Sequence, residues 1–315
     1  MIAFGPVPSR RLGRSLGVNN IPPKVCTYSC VYCQVGRTMR MQTERDSFYE
    51  PDEILNSVRA KVKQALEAGE PIDYLTLVPD GEPTLDVNLG REIELLRPLG
   101  IKVAVISNTS LISRADVRNE LASADWVSLK LDSTREDIWR RVNRPHKALG
   151  LRAMLEGTLE FARSFRGTLA TETMLVKGVN DTEKDAEELG SFLAELGSPK
   201  IYLSIPIRPP AEEWVESPDE QIVNQFYQVL SKTNGSVEYL IGYEGNAFSS
   251  TGNVEEDLLS ITAVHPMREE AVVKLLQGAG ENWAVVQRLI AEHKLIETVH
   301  EGHKFYLRTL PQRRK

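Results

Sequence analysis

The residues best suited to chemistry in this chain are three cysteines, Cys26, Cys30 and Cys33, spaced as C-x3-C-x2-C. They are the only cysteines among 315 residues. A disulfide framework needs an even number of cysteines and a secretory context, so three clustered thiols indicate metal ligands. Structural zinc takes four ligands, and the first histidine, His146, lies far along the chain. An iron–sulfur cluster with one iron free of protein ligands is favoured over zinc or three unrelated thiols.

With the aromatic Tyr32 directly before the last cysteine, this motif resembles that of the radical S-adenosylmethionine (radical SAM) enzymes. The resemblance implies that Cys26, Cys30 and Cys33 hold a [4Fe-4S] cluster whose open iron binds the amino and carboxylate groups of S-adenosylmethionine (SAM). It further implies that an electron from the reduced cluster cleaves SAM to a 5′-deoxyadenosyl radical, and that Tyr32 lies near the adenine. An electron donor such as flavodoxin or ferredoxin would then be a partner.

The elements that must position this motif follow from an alternation of apolar β-rich runs and helical patterns. Such alternation predicts an α/β protein with a parallel sheet covered by helices, either an open doubly wound sheet or a full or partial barrel. The resemblance implies a partial (β/α)6 barrel of the TIM type, with its site at the carboxyl ends of the strands. The predicted strands are 15–19, 74–78, 103–107, 126–131, 169–176, 201–207 and 237–241.

Two of these strands end in segments that match a SAM site. After the second strand, residues 79–84 resemble the Gly-Gly-Glu-Pro segment of the superfamily, with Asp80 in place of the first glycine. The resemblance implies that Gly81 and Glu82 accept hydrogen bonds from the methionine ammonium, although such a segment is also an ordinary turn. Ser107 and Asn108 follow the third strand, where they would contact the ribose or carboxylate of SAM or simply cap a helix.

Other polar residues near strand ends have two interpretations each. Ser128, Lys130 and Asp132 share a strand face by the period of two, and Lys130 resembles a residue of glycyl-radical activating enzymes that meets the SAM carboxylate. A Lys130–Asp132 surface pair is the alternative. A further set of residues could either contact the substrate or have a structural role. These residues are Arg10, Arg11, His146 and Arg208.

Two domains are predicted, a radical SAM barrel over residues 1–245 and a winged-helix-like domain over residues 255–312. The second would bind a macromolecular substrate or cap the barrel. The opening residues 5–17 resemble those of a group related to the wyosine tRNA-modifying synthases, but the cysteines of a second cluster are missing.

Composition limits the classes of function. A net charge of −6 argues against broad, nonspecific nucleic-acid binding. No apolar run approaches the ~20 residues of a membrane span, and no signal peptide is visible, which predicts a cytoplasmic protein. Within these limits, the resemblance implies a radical SAM enzyme with one cluster that abstracts hydrogen from an unknown substrate. The alternatives are a tRNA-modifying radical SAM protein, a glycyl-radical-type activase and a noncatalytic Fe-S/SAM sensor.

Overall fold

The computed structural model describes residues 1–197, 200–233, 235–242, 248 and 253–309. The strands are β1 (Ala3–Ser9), β2 (Gly13–Val18), β3 (Val25–Cys26), β4 (Arg40–Met41), β5 (Tyr74–Leu77), β6 (Lys102–Ser107), β7 (Trp126–Lys130), β8 (Thr168–Met174), β9 (Lys200–Ser204), β10 (Ser236–Leu240), β11 (Met267–Arg268), β12 (Leu295–His300) and β13 (His303–Arg308). The helices are α1 (Pro51–Glu67), α2 (Leu89–Leu96), α3 (Ala115–Leu121), α4 (Glu136–Asn143), α5 (Leu151–Ser164), α6 (Glu183–Leu196), α7 (Glu220–Leu230), α8 (Val254–Val264), α9 (Glu269–Gly278) and α10 (Ala284–Ala291).

The main sheet has the strand order β1-β2-β5-β6-β7-β8-β9-β10 and curls into a half-barrel. Strands β2 to β10 of this sheet are parallel, and β1 pairs with β2 in the antiparallel direction. Its parallel strands are separated along the chain by helices, as right-handed β/α units require. The predicted α/β fold with a partial TIM-type barrel is confirmed.

The ninth strand is shorter than predicted. Residues 201–207 were expected to be extended within the sheet, but β9 ends at Ser204. Pro206 has no backbone N–H to donate to a neighbouring strand, which explains why the chain leaves the sheet just before it. The residues that follow, up to Arg208, line the interior of the half-barrel instead.

The turn between β1 and β2 fills the inside of the half-barrel. Leu12 is buried in one cluster with Trp126 and Ala170 on the inner face of the sheet. Arg10 donates a hydrogen bond to the main-chain oxygen of Leu240, at 2.8 Å. The turn-rich opening of the chain is therefore an antiparallel hairpin whose tip closes the interior.

A C-terminal group of elements packs beside the barrel. Helices α8, α9 and α10 and the antiparallel sheet β11-β13-β12 share a separate hydrophobic core. Lys61 of α1 donates a hydrogen bond to Asp257 of α8 at 2.8 Å and ties the two parts together. The winged-helix assignment and the boundaries 1–245 and 255–312 stay predictions, and residues 245 and 310–312 lie outside the described residues. No helix in the described part of the chain is long and apolar enough to cross a bilayer.

Candidate active site

A cavity of about 330 Å³ occupies the interior of the half-barrel. All three cysteines line it, together with Tyr32 and Lys130. The β1–β2 turn and the segment that joins α8 to β11 line it as well. Residues from distant parts of the chain therefore meet at the carboxyl ends of the parallel strands, as the sequence predicts.

The cysteine loop is held by backbone hydrogen bonds on two sides. On one side, Lys24 N–H donates to the Asp80 oxygen at 2.7 Å and Glu82 N–H donates to the Val25 oxygen at 3.3 Å. On the other side, Val31 N–H donates to the Val142 oxygen at the end of α4, at 2.9 Å. These contacts fix the loop against the segment after β5 and against α4.

Two of the thiols receive hydrogen bonds from side-chain amides. Asn108 Nδ2 donates to Cys26 Sγ at 3.4 Å, and Asn143 Nδ2 donates to Cys30 Sγ at 3.5 Å. Donors directed at sulfur stabilise the thiolate form and tune a bound cluster. Asn143 was not singled out from the sequence as a cluster contact, because only the fold brings α4 against the cysteine loop.

Burial raises the pKa of all three thiols, and for Cys30 burial, reinforced by the nearby Asp132 carboxylate, raises the pKa to about 12. Such thiols stay protonated unless a metal replaces the protons. The part of the chain that the structure describes contains no group of three or more His, Cys, Asp or Glu side chains arranged to hold a single metal ion. Three thiols that line one cavity, with amide donors to two of them, fit an iron–sulfur cluster.

Glu82 lies behind the cavity wall, not in it. Its carboxylate accepts hydrogen bonds from Thr84 N–H at 3.1 Å, Thr84 Oγ1 at 2.6 Å, Ser107 Oγ at 2.7 Å and Asn108 N–H at 2.7 Å. Both Glu82 and Ser107 are buried and neither lines the cavity. In this structure the Glu82 carboxylate is occupied by protein donors, and one of them is the backbone N–H of Asn108, whose side chain donates to Cys26. The contact between Glu82 and the ligand ammonium stays a prediction.

Gly81 does line the cavity, and its lack of a side chain has a local cause. A Cβ atom at this position would lie 2.0 Å from the Val25 main-chain oxygen. The segment after β5 and the cysteine loop approach each other so closely that only glycine fits between them. Gly81 therefore brings its backbone to the cavity edge.

An ion pair that the sequence did not reveal lies next to Gly81. Lys24 Nζ is 3.5 Å from Asp80 Oδ1, and both side chains are buried and line the cavity. Burial raises the pKa of Asp80 to about 6, although the Lys24 ammonium opposes this shift. Lys24 has a positive φ of 64°, a conformation that no sequence pattern here predicts.

Lys130 has a different partner from the one predicted. Its ammonium lies 3.0 Å from Glu172 Oε1 and 4.8 Å from the centre of the Tyr32 ring. Arg11 forms a second ion pair with Glu172. Asp132 instead accepts hydrogen bonds from Tyr32 Oη and from Asn143. The alternative of a Lys130–Asp132 surface pair is not found, because β7 ends at Lys130 and the strand period does not reach Asp132.

The remaining candidates separate into two groups. Arg10, Arg11 and Arg208 line the cavity, and Arg208 donates to Gln34 Oε1 at 2.6 Å. His146 does not line the cavity. It lies in an exposed turn, where its Nδ1 accepts a hydrogen bond from Ala148 N–H at 3.2 Å.

A half-barrel with three cysteines in the loop after its first parallel strand defines the radical SAM enzymes. The model of the radical SAM superfamily matches residues 20–190, and the chain belongs to this superfamily. The resemblance predicted from the cysteine motif is thus confirmed, as is the prediction of an enzyme, and enzymes of this superfamily use a [4Fe-4S] cluster and SAM.

Relatives extend this similarity over the whole chain. The UPF0026 protein MJ1312 of Methanocaldococcus jannaschii is 46% identical over 316 residues, covering 100% of this chain and 98% of the relative. A probable dual-specificity RNA methyltransferase RlmN of Clostridioides difficile is 25% identical over 218 residues, covering 67% of this chain and 62% of that protein. Among solved structures, a radical SAM methyltransferase from Sphaerobacter thermophilus superposes with a TM-score of 0.56 and 20% identity, covering 71% of this chain and 66% of that one.

Proposed function

We propose that the protein holds a [4Fe-4S] cluster through Cys26, Cys30 and Cys33 and cleaves SAM reductively to abstract hydrogen from a substrate in the adjoining cavity. The observation that carries this proposal is that all three thiols line one cavity while side-chain amides donate to two of them. When bound, the cluster supplies the electron that breaks the sulfonium bond of SAM and releases a 5′-deoxyadenosyl radical. The protein binds SAM and the substrate, orients them toward each other and excludes water.

Within this proposal the predicted SAM residues take two kinds of role. Tyr32, Gly81 and Lys130 line the cavity and are proposed to touch SAM. The Tyr32 ring is held between its hydrogen bond to Asp132 and the Lys130 ammonium, so it offers a rigid face to an adenine. The other three predicted residues are proposed to position the segment after β5 and the Cys26 thiolate. They are Glu82, Ser107 and Asn108.

The apolar part of the cavity supports radical chemistry. Phe4 and Val7 on β1 and Ile106 on β6 line it. A radical that can take hydrogen from carbon must be kept from solvent and from other protein groups, and apolar side chains limit both side reactions. The substrate carbon is proposed to lie on this side.

The test is SAM cleavage by protein reconstituted anaerobically with iron and sulfide. With dithionite, or with reduced flavodoxin or ferredoxin as the proposed physiological donor, the wild type should form 5′-deoxyadenosine. Cys30→Ala should lose iron and cleavage, whereas Ser29→Ala, the neighbouring control, should keep both. Full cleavage by Cys30→Ala would contradict the proposal. A wild type that binds cluster and SAM but forms no 5′-deoxyadenosine would support the sensor alternative.

A second candidate is an RNA substrate, which the similarity to an RNA methyltransferase favours. The C-terminal elements are then proposed to contact the RNA. Binding of tRNA with a steep dependence on salt concentration would support this candidate, because phosphate contacts release counterions. Absence of measurable tRNA binding at low salt would remove it.

A further inference from the structure

The cysteine loop reaches the outer surface of the protein through the short strand β4. This strand pairs with β3, and Met41 is the partner of Cys26 in that register. Gln42 N–H donates to the Cys26 oxygen at 3.2 Å. Thr38 lines the cavity, whereas its neighbour Met39 is exposed. A molecule that touches the surface at β4 therefore lies beside one of the proposed cluster ligands.

Large apolar side chains are exposed around this point. Met39, Met41 and Trp214 are 53%, 38% and 50% exposed, and none of the three lines the cavity. Trp214 lies two residues after Glu212, whose N–H donates to the Val31 oxygen of the cysteine loop at 3.1 Å. Met and Trp are enriched in binding surfaces, because Met adapts to a partner and Trp supplies a large contact area. These three side chains are therefore available to a partner outside the cavity.

Ion pairs join three segments into one surface around these apolar side chains. Glu212 pairs with Arg37 at 2.9 Å and with Arg144 at 2.5 Å. Ser29 N–H, in the cysteine loop, donates to the Arg144 oxygen at 3.2 Å. We name this surface the loop face, and it consists of residues 37–41, 144–147 and 212–214.

The loop face is positively charged, although the chain as a whole is acidic. Four basic side chains lie on it against two carboxylates, those of Glu212 and Glu213, while the net charge of the chain is −6. Arg40 and Lys147 are exposed, and within the residues that the structure describes they take part in no ion pair. Complementary potentials steer association, so this surface favours a partner with negative charge around an apolar centre.

We infer that the loop face docks a flavodoxin, a small acidic protein whose flavin supplies the electron to the cluster. The exposed edge of the flavin ring is apolar and packs on Met39, Met41 and Trp214, and the carboxylates around it face the basic side chains. In the complex the anionic flavin hydroquinone loses one electron, the [4Fe-4S]2+ cluster gains it, and no proton is transferred. Docking beside Cys26 keeps the path of this electron short.

The inference deepens the proposed function by placing the electron donor, and it rests on that function for the presence of the cluster. Transient electron-transfer complexes bury little surface, so three short segments are sufficient for docking. A ferredoxin has a similar charge but no exposed ring, and the apolar centre of the loop face therefore favours flavodoxin.

The rate of cluster reduction tests the inference apart from catalysis. Protein reconstituted anaerobically is mixed with flavodoxin hydroquinone in the absence of SAM, and the loss of cluster absorbance is followed by stopped flow. The test variants are Arg40→Glu and Trp214→Ala. Their controls are Arg166→Glu and Leu66→Ala, which alter exposed residues just before β8 and β5, at the opposite end of the parallel strands from the cysteine loop.

In each test variant we expect the second-order rate constant for reduction by flavodoxin to fall about tenfold. Arg40→Glu repels the acidic partner, and Trp214→Ala removes a central contact. The defect of Arg40→Glu should shrink at high salt, which screens the charges. Both controls should match the wild type. Dithionite is a small reductant that needs no docking face, so it should reduce the cluster of every variant at the wild-type rate.

The inference is overturned if either test variant, with its cluster intact, accepts electrons from flavodoxin as fast as the wild type does. It is also overturned if flavodoxin does not reduce the wild type and a ferredoxin does. A change from dimer to monomer in Trp214→Ala would assign the loop face to a second copy of the chain and overturn it as well.

Formation of 5′-deoxyadenosine with dithionite and SAM is measured separately on the wild type. Reduction by flavodoxin that depends on the loop face, without SAM cleavage, would leave this inference standing while the proposed function fails. SAM cleavage with dithionite, combined with wild-type reduction rates in the test variants, would have the opposite meaning.

Discussion

The Gln34 side chain donates a hydrogen bond to the Val264 main-chain oxygen at 3.0 Å, which joins the cysteine loop to the end of α8. Gln34 directly follows Cys33, and Val264 and His265 line the cavity. Arg208 completes the junction by contacting both Gln34 and His265, the latter at 3.1 Å. The C-terminal elements are thus part of the wall of the candidate active site.

Gln34→Leu removes the contacts of this side chain on both sides of the junction. We expect the free energy of unfolding to fall by about 1.5–3 kcal/mol, the typical value for a hydrogen bond to a charged group. Amide hydrogen exchange should quicken around Val264, because the junction opens locally. Gln221→Leu, on the exposed face of α7, is the control. Unaltered exchange around Val264 in Gln34→Leu would show that other contacts hold the wall.

Gly81→Ala forces a methyl group against the Val25 oxygen, where only 2.0 Å is available. The two segments must separate, and overpacking of this kind costs about 1–3 kcal/mol. Because the cysteine loop is one of these segments, iron content after reconstitution should fall as well as thermal stability. Gly150→Ala is the control, since a Cβ there meets nothing within 4 Å. Wild-type iron content in Gly81→Ala would contradict the role of this close approach.

Glu82→Gln tests whether this carboxylate is structural. The amide retains one oxygen but turns an NH2 group toward protein donors, which leaves buried groups unsatisfied. We expect a loss of about 2–3 kcal/mol in urea unfolding without any ligand. Glu53→Gln, on the exposed side of α1, should be close to neutral. If Glu82→Gln were as stable as the wild type but bound SAM weakly, the carboxylate would act on the ligand after all.

Glu92 should make stability fall as pH rises. Burial, reinforced by the neighbouring Asp86 carboxylate, raises the pKa of Glu92 from 4.5 to about 9. Between these values the folded state binds a proton that the unfolded state has released, so stability decreases with increasing pH. The slope from this group should approach about 1.4 kcal/mol per pH unit within that window.

Glu92→Gln should flatten this dependence, and its amide oxygen can still accept from Asn20, which donates to Glu92 Oε2 at 3.0 Å. The measurement is the free energy of unfolding in urea from pH 5 to pH 9. Glu94→Gln, on the exposed side of the same helix, should keep the wild-type slope. An identical slope in Glu92→Gln would locate the pH dependence elsewhere.

The sequence was sufficient for the parts of the site that depend on local spacing. Cys26, Cys30, Cys33 and Tyr32 follow from one motif, and the strand that carries Lys130 follows from its apolar pattern. The direction of the Glu82 carboxylate did not follow, because it depends on donors that the next strand brings 25 residues later.

Lys24 was missed for a different reason. Its side chain reaches the cavity only because the backbone adopts a left-handed conformation, and neighbouring loops impose that conformation. Asn143 shows the same limit, since its contact with Cys30 spans 113 positions of the chain. Long-range contacts of this kind have no signature in a single sequence.

The hydrogen bond from Arg10 to Leu240 spans 230 positions, and it has a consequence for how the protein is made. The first hairpin leaves the ribosome early, but this hydrogen bond of its tip can form only after the last barrel strand has been synthesised. Such distant pairings form late because the intervening chain must first be ordered. The contact that joins the first hairpin to the last strand of the barrel is therefore expected to form late in folding, after most of the chain has left the ribosome.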